Sequence, residues 1–252
     1  KLMQDSSTYA ESNVITTLLV GVPGSGKTCV AMGFPRPYFL STDHKLGNAI
    51  RRYPGKKFMY DYPDILAGKE VPMTMRWTQT GALVTEPTKH LDKFDTIVAD
   101  NLTDIGDYLQ SYICSQPAMS KGGRPKAAGI AVMEQSDWQA YYVLMGNFLS
   151  NLKLLGKNVV VCAHEAVDKD EVTGTLTYYP LIGGKWKTSL ASQFNNVWQC
   201  KATQVGQNEH RYFVTTRPTP RMMCINSLDL PTEFDFTWDE VARRMGNTNL
   251  VK

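Results

Sequence analysis

The eight residues Gly21-Val22-Pro23-Gly24-Ser25-Gly26-Lys27-Thr28 match the pattern G-x-x-x-x-G-K-[ST] and constrain the chain more than any other feature. The run VITTLLV over 14–20 precedes them and reads as a strand buried on both faces; a helix-competent stretch follows. In that setting the glycines let the backbone wrap a phosphate with its N–H groups pointing inward, and the next helix adds the positive end of its dipole. Lys27 is expected to reach the terminal phosphates and Thr28 to offer its hydroxyl to Mg²⁺. Gly21, Pro23, Gly24, Ser25, Gly26, Lys27, Thr28 and Cys29 are therefore the expected nucleotide-binding residues. A chance glycine-rich turn has no reason to sit between a buried strand and a helix.

Such a loop needs an acid on the metal side at the end of a neighbouring strand, and Phe94-Asp95-Thr96-Ile97-Val98-Ala99-Asp100 supplies Asp100. Asn101 and Asp104 are available to cap the helix that follows, which leaves Asp100 for the metal. No acid directly follows Asp100, so a water-activating carboxylate has to come from elsewhere.

Further strands are expected over 38–41, 96–99 and 158–163. Between the last two, a helix is expected from a Ser136/Gln139 capping box to a stop at Gly156. Its core stripe is Trp138, Tyr141, Tyr142, Met145, Phe148, Leu149, Leu152 and Leu155. Buried strands alternating with helices predict an α/β fold with a mostly parallel central sheet covered on both faces. The alternating stretches 196–201, 212–216 and 221–225 predict antiparallel additions at the C-terminal end. A Thr237/Glu240 capping box predicts a final short helix. The expected organisation is a polar lead over 1–13, one domain over 14–236, and a helix and tail over 237–252.

With 42% hydrophobic, 20% charged and 10% aromatic residues in 252, the chain can bury a sizeable core, and disordered, collagenous and coiled-coil classes are excluded. The net charge of +3 implies no partner by itself. No apolar run approaches the length of a membrane span, and residues 1–12 lack the order of a signal peptide, so an intracellular protein without a membrane partner is expected. The chain opens on Lys1 rather than Met, which allows for residues upstream. Five widely spaced cysteines without a Cys-x-x-Cys pair argue for free thiols rather than disulfides or zinc.

The order of these elements resembles the RecA-like P-loop NTPase core, and most closely the phage-encoded RecA-like recombination ATPases of the AAA_24 group. The resemblance spans roughly 14–226 and leaves 53–91 without a counterpart. It implies ATP as the nucleotide and places the catalytic acid after the strand that follows the P-loop helix. There the chain reads Phe39-Leu40-Ser41-Thr42-Asp43-His44-Lys45-Leu46. Asp43 is thereby implied to align or deprotonate the attacking water, with a loop residue or helix cap as the simpler role. The fourth strand ends Cys162-Ala163-His164-Glu165, where the family places a γ-phosphate sensor, so His164 or Glu165 is implied in that role.

Two segments stand where RecA binds single-stranded DNA. The first, over 120–126, offers Lys121, Arg124 and Lys126. The second, over 166–188, offers Tyr178, Tyr179, Lys185, Trp186 and Lys187, with Gly183-Gly184 near its end; Asp168, Asp170 and Glu171 make only its distal half suited to phosphates. Solvated loops or subunit contacts are the plainer reading of both. A cation completing the neighbour's site is implied at Arg217, with Arg211 second. The expectation is a DNA-stimulated ATPase that forms a homo-oligomeric filament or ring on single-stranded DNA. It would assist annealing or strand exchange, with a single-strand binding or annealing protein as a further partner. A small-molecule P-loop kinase, whose lid would rest on Arg124, and a nucleotide-dependent loader or assembly module are the alternatives.

Overall fold

In the computed structural model, residues 14–85, 91–117, 123–127, 129–207 and 210–246 are described. In chain order the elements are β1 (Thr16–Gly21), α1 (Lys27–Gly33), β2 (Pro37–Ser41), α2 (Leu46–Arg52), β3 (Met59–Asp61), β4 (Ile65–Leu66), β5 (Lys69–Glu70) and α3 (Met73–Thr85). There follow β6 (Thr96–Asp100), α4 (Leu102–Ser115), β7 (Lys126–Ala127), β8 (Ile130–Ala131), α5 (Gln135–Leu154), β9 (Asn158–Lys169) and β10 (Leu176–Pro180). The chain ends with α6 (Trp186–Ser189), β11 (Asn196–Gln204), β12 (His210–Thr215), β13 (Ile225–Asn226), β14 (Glu233–Phe234) and α7 (Trp238–Arg244).

One sheet in the order β14-β12-β11-β1-β9-β6-β2-β3 organises the molecule. Its centre, β11-β1-β9-β6-β2-β3, is parallel throughout, while β10, β12, β13 and β14 pair antiparallel. The apolar runs are continuous because both faces are covered. Val159, Val161 and Ala163 of β9 join one core with residues of α4 and α5, and Val160 and Cys162 join the other with residues of α1, α2 and α7. Parallel order also gathers the C-terminal ends of β1, β9, β6, β2 and β3 at one rim, where ligands bind in sheets of this kind.

Several expectations need correction. The α5 stripe of Tyr141, Met145, Phe148, Leu149 and Leu152 is buried, yet the capping box is Glu134 with Asp137, not Ser136 with Gln139. Asp137 is held there by a buried ion pair with Arg124 and accepts from the Glu134 N–H at 2.8 Å, a contact no local pattern reveals. The stretch over 196–201 is parallel to its neighbour β1, because α6 and the turn after it return the chain across the sheet before β11 begins. Of 221–225 only the end enters a strand. Pro218 and Pro220 carry no N–H for a ladder, and Thr219 and Met222 close a tight turn on each other. The expected loop over 166–188 is in large part a hairpin, since β9 continues to Lys169 and β10 returns antiparallel to it.

Candidate nucleotide site

The loop between β1 and α1 curls back on itself by placing Gly24 at φ 81° and Gly26 at φ 90°, conformations that side-chain-bearing residues avoid. Gly21 is equally constrained by space, since a Cβ there falls 2.5 Å from Ser25 Oγ. Lys27 is buried at the first turn of α1, and its Nζ donates to the carbonyls of Gly21 at 2.7 Å and Val22 at 3.0 Å. Its charge is thus held inside the curl of the loop.

Thr28 Oγ1 donates to Asp100 Oδ2 at 2.7 Å, which joins the loop to the end of β6. β9 stands between β1 and β6, so the two strand ends meet only because α1 leans across it. Asp100 is fully buried, and burial pushes its carboxyl up to about 6, against the opposing pull of the Thr28 hydrogen bond; the nearby Asp43 adds to the rise. A hydroxyl and a carboxylate oxygen side by side are hard donors of the kind Mg²⁺ takes, with the remaining positions left to water and phosphate. Among the described residues no group of three or more His, Cys, Asp or Glu forms a self-sufficient metal cage. Thr28 and Asp100 therefore fit a nucleotide-borne Mg²⁺, which would supply charge neutralisation at the phosphates.

The loop opens into a cleft of about 200 Å³ that Lys27, Thr28, Cys29, Asp43, Asp100 and His164 line together. Asp43 follows β2, and its Oδ1 accepts from the Lys45 N–H at 3.1 Å, so it caps its own turn while facing the cleft. Thr42 beside it is tied to the far wall: its hydroxyl donates to Asp104 Oδ2 at 2.7 Å and accepts from the Asn101 N–H at 3.0 Å. His164 ends the buried part of β9, and its N–H donates to Thr103 Oγ1 at 3.1 Å. Burial, and then the positive Lys27, hold its imidazole below the usual histidine range, so it is neutral at pH 7. Its Nδ1 is buried without a hydrogen-bond partner.

Glu165 points the other way. Successive residues of a strand alternate faces, and Glu165 accepts from Gln199 Nε2 in a groove that shares Val22 with the loop but none of the cleft's acids. Arg217 is exposed beyond the end of β12 and does not line the cleft. Arg211 is engaged by Asp235 at 2.8 Å and Glu233 at 3.9 Å.

The residues assigned to DNA separate into two kinds. Lys121 lies outside the described residues. Arg124 is a correction: it is buried in its ion pair with Asp137 and donates from Nε to the Gln116 carbonyl at 2.9 Å, so it is not a free cation. Trp186 is a second correction, because it is a core residue packed against Gly146 rather than a stacking face. Lys126 and Lys185 are exposed. Tyr178 and Tyr179 lie half-buried on β10 beside Lys187, whose Nζ sits 4.9 Å from the Tyr179 ring centroid and 3.1 Å from Asp168. These three line a groove of about 410 Å³ with Arg221, Met222 and Pro220, separate from the nucleotide cleft.

Four cleft residues, Lys45, Asn48, Ala49 and Tyr212, escaped the sequence reading. Lys45 and Asn48 follow Asp43 at spacings of two and five, a signal that the helical run after it could have carried. Tyr212 had none. It reaches the cleft because β11 and β12 continue past the end of β1, which lays its ring over Gly26, where an added Cβ would meet Tyr212 Cδ1 at 2.9 Å. Replacing Tyr212 by Ala is expected to weaken nucleotide binding about two- to tenfold, the worth of one aromatic face. Titration with a fluorescent nucleotide analogue checks this, and unchanged affinity removes Tyr212 from the site.

No helix among the described residues is long and apolar enough to cross a membrane. No curated protein matches the chain. The family model AAA_24, described as an AAA domain, matches residues 14–224, a span that begins before β1 and takes in the P-loop and every strand end around the cleft. The chain belongs to this family of P-loop nucleoside triphosphatases.

Proposed function

We propose that the protein is an ATPase of the RecA-like, phage recombination type that oligomerises on single-stranded DNA inside the cell and assists annealing or strand exchange. The observation that carries this reading is the course of β9. One strand runs from His164 in the nucleotide cleft to Lys169, and β10 returns along it to set Tyr178 and Tyr179 beside Lys187. A change at the terminal phosphate would therefore move a surface that combines aromatic faces with cations, the chemistry that grips single strands. In the cleft, Lys27 and Thr28 hold the phosphates, Asp100 supports the metal, Asp43 aligns water and His164 senses the γ-phosphate through its unpartnered Nδ1. Arg217, exposed and away from its own cleft, would enter a neighbour's. A single-strand binding or annealing protein is the further partner.

ATP turnover should rise several-fold with single-stranded DNA, and sedimentation should show a filament or ring that needs both DNA and nucleotide. Replacing Lys185 and Lys187 together by Ala should lower the salt slope of single-stranded DNA binding by about 1.4, roughly 0.7 per phosphate contact. Absence of both stimulation and DNA binding sinks the DNA-dependent reading and leaves the assembly module. A monomer or dimer indifferent to DNA favours the kinase, whose only lid candidate, Arg124, is locked in the Asp137 pair.

A further inference from the structure

None of the described residues over 53–85 lines the nucleotide cleft, yet this segment meets the residues beside it. β3 is the edge strand and runs parallel to β2, with Leu40 opposite Asp61. The two strands therefore end side by side, and the residues just beyond them, Thr42 to Lys45 after β2 and Tyr62 to Asp64 after β3, share one rim of the sheet. There the His44 ring stacks on Tyr62, with centroids 4.0 Å apart and planes 21° from parallel. Its Nε2 donates to the Asp64 carboxylate, 2.9 Å from both oxygens.

His44 has φ 56°, the left-handed region that L residues with a Cβ enter at a cost. This sharp turn is what lets both of its neighbours, Asp43 and Lys45, line the cleft while His44 itself faces outward. Strained residues beside a site persist where the surroundings over-determine them. Here the stack and the hydrogen bond to Asp64 do so from one side, and the Thr42 hydrogen bonds to Asp104 and Asn101 do so from the other. Asp64 is itself anchored, its carbonyl accepting from the Val71 N–H at 2.7 Å.

We infer that Tyr62 and Asp64, through His44, are positioning residues that hold the Asp43 carboxylate in its working place in the cleft. The inference rests on Asp43 being the residue that aligns water. Neither Tyr62 nor Asp64 lines the cleft, so their loss should affect the chemical step and leave nucleotide binding alone. A residue supporting only the fold would instead change stability, and one in the pocket would change affinity.

The experiment is steady-state ATP turnover with single-stranded DNA present, together with nucleotide affinity and melting temperature, for Asp64→Ala, Asp64→Asn, Tyr62→Phe, Asp43→Asn and the double variant D43N/D64A. Asp64→Ala should lower kcat at least tenfold with KM and nucleotide affinity within about threefold of the parent protein. Asp64→Asn, which keeps an acceptor for His44 Nε2, and Tyr62→Phe, which keeps the stack, should each retain more than half of the parent kcat. The double variant should be no slower than Asp43→Asn alone, because two residues acting through one group are not additive. The clamp is overturned by an Asp64→Ala protein with parental kcat, by a kcat loss matched by an equal loss of affinity or a collapse of the melting temperature, or by additive effects in the double variant. If Asp43→Asn itself turns over normally, the role of Asp43 falls and the clamp with it; if Asp43→Asn is inactive while Asp64→Ala is not, the clamp alone fails.

Discussion

Replacing Lys27 by Ala is expected to leave a folded protein that has lost nucleotide turnover by at least about 10²–10³-fold, the cost of deleting one preorganised group that stabilises charge developing on a phosphate. The ammonium lies inside the loop, where it bridges the Gly21 and Val22 carbonyls. A phosphate in the curl would take over those hydrogen bonds with a charge-assisted contact that no other cleft residue can supply from the same position. Stability should change little, about 1 kcal/mol, because deletion removes two hydrogen bonds and also a buried charge. Turnover at saturating nucleotide, with the melting curve as control, is the measurement. Normal hydrolysis by this variant would remove the P-loop assignment.

Asp100→Asn is expected to separate stability from activity. The carboxyl is pushed up to about 6 from an ordinary 3.8 by burial. Between those values the folded chain holds a proton that the unfolded chain releases, so stability falls as pH rises from about 4 to 6 and stays lower above. The full penalty, about 3 kcal/mol for a shift of roughly two units, applies at neutral pH. Asn carries no charge to bury and still offers an oxygen to the Thr28 hydroxyl. Without nucleotide and metal, the variant should therefore be more stable than the parent protein at pH 7.5, with the gap closing towards pH 4. Mg²⁺-dependent turnover should meanwhile fall by about 10²-fold or more, since an amide oxygen is a weaker partner for a hard cation. Denaturant unfolding at pH 4.5 and 7.5 in a chelator, paired with turnover in Mg²⁺, tests both halves. A variant less stable at pH 7.5, or one that keeps Mg²⁺-dependent turnover, contradicts this account of Asp100.

The residues that do least for stability are thus concentrated where the chemistry lies. Asp100 is a fully buried carboxyl, His164 Nδ1 is a buried atom without a partner, and His44 is a strained turn. Each stands at or just beyond the C-terminal end of the parallel pairing, and each would find its counterpart in a bound nucleotide, a metal or a correctly aimed neighbour.

How much of this was legible in the sequence depends on the range over which each feature is decided. The P-loop is eight contiguous residues whose conformation follows from glycines and from the strand and helix at its ends, so its place and chemistry can be read from the chain alone. The position of Asp100, which ends a buried apolar run, and the core stripe of α5, whose periodicity is internal to the helix, are legible in the same way. The parallel character of the sheet follows from strands apolar on both faces. What the chain alone left open was decided across space. His164 and Glu165 are adjacent in sequence, and only the side of β9 on which α1 packs determines which one lines the cleft with Lys27 and Asp100. Arg124 and Trp186 look like free recognition groups until Asp137 and the α5 surface claim them. Tyr212 and the Tyr62–His44–Asp64 contact arise because strands distant in sequence end at a common rim, and that coincidence is a property of sheet order, which no local pattern encodes.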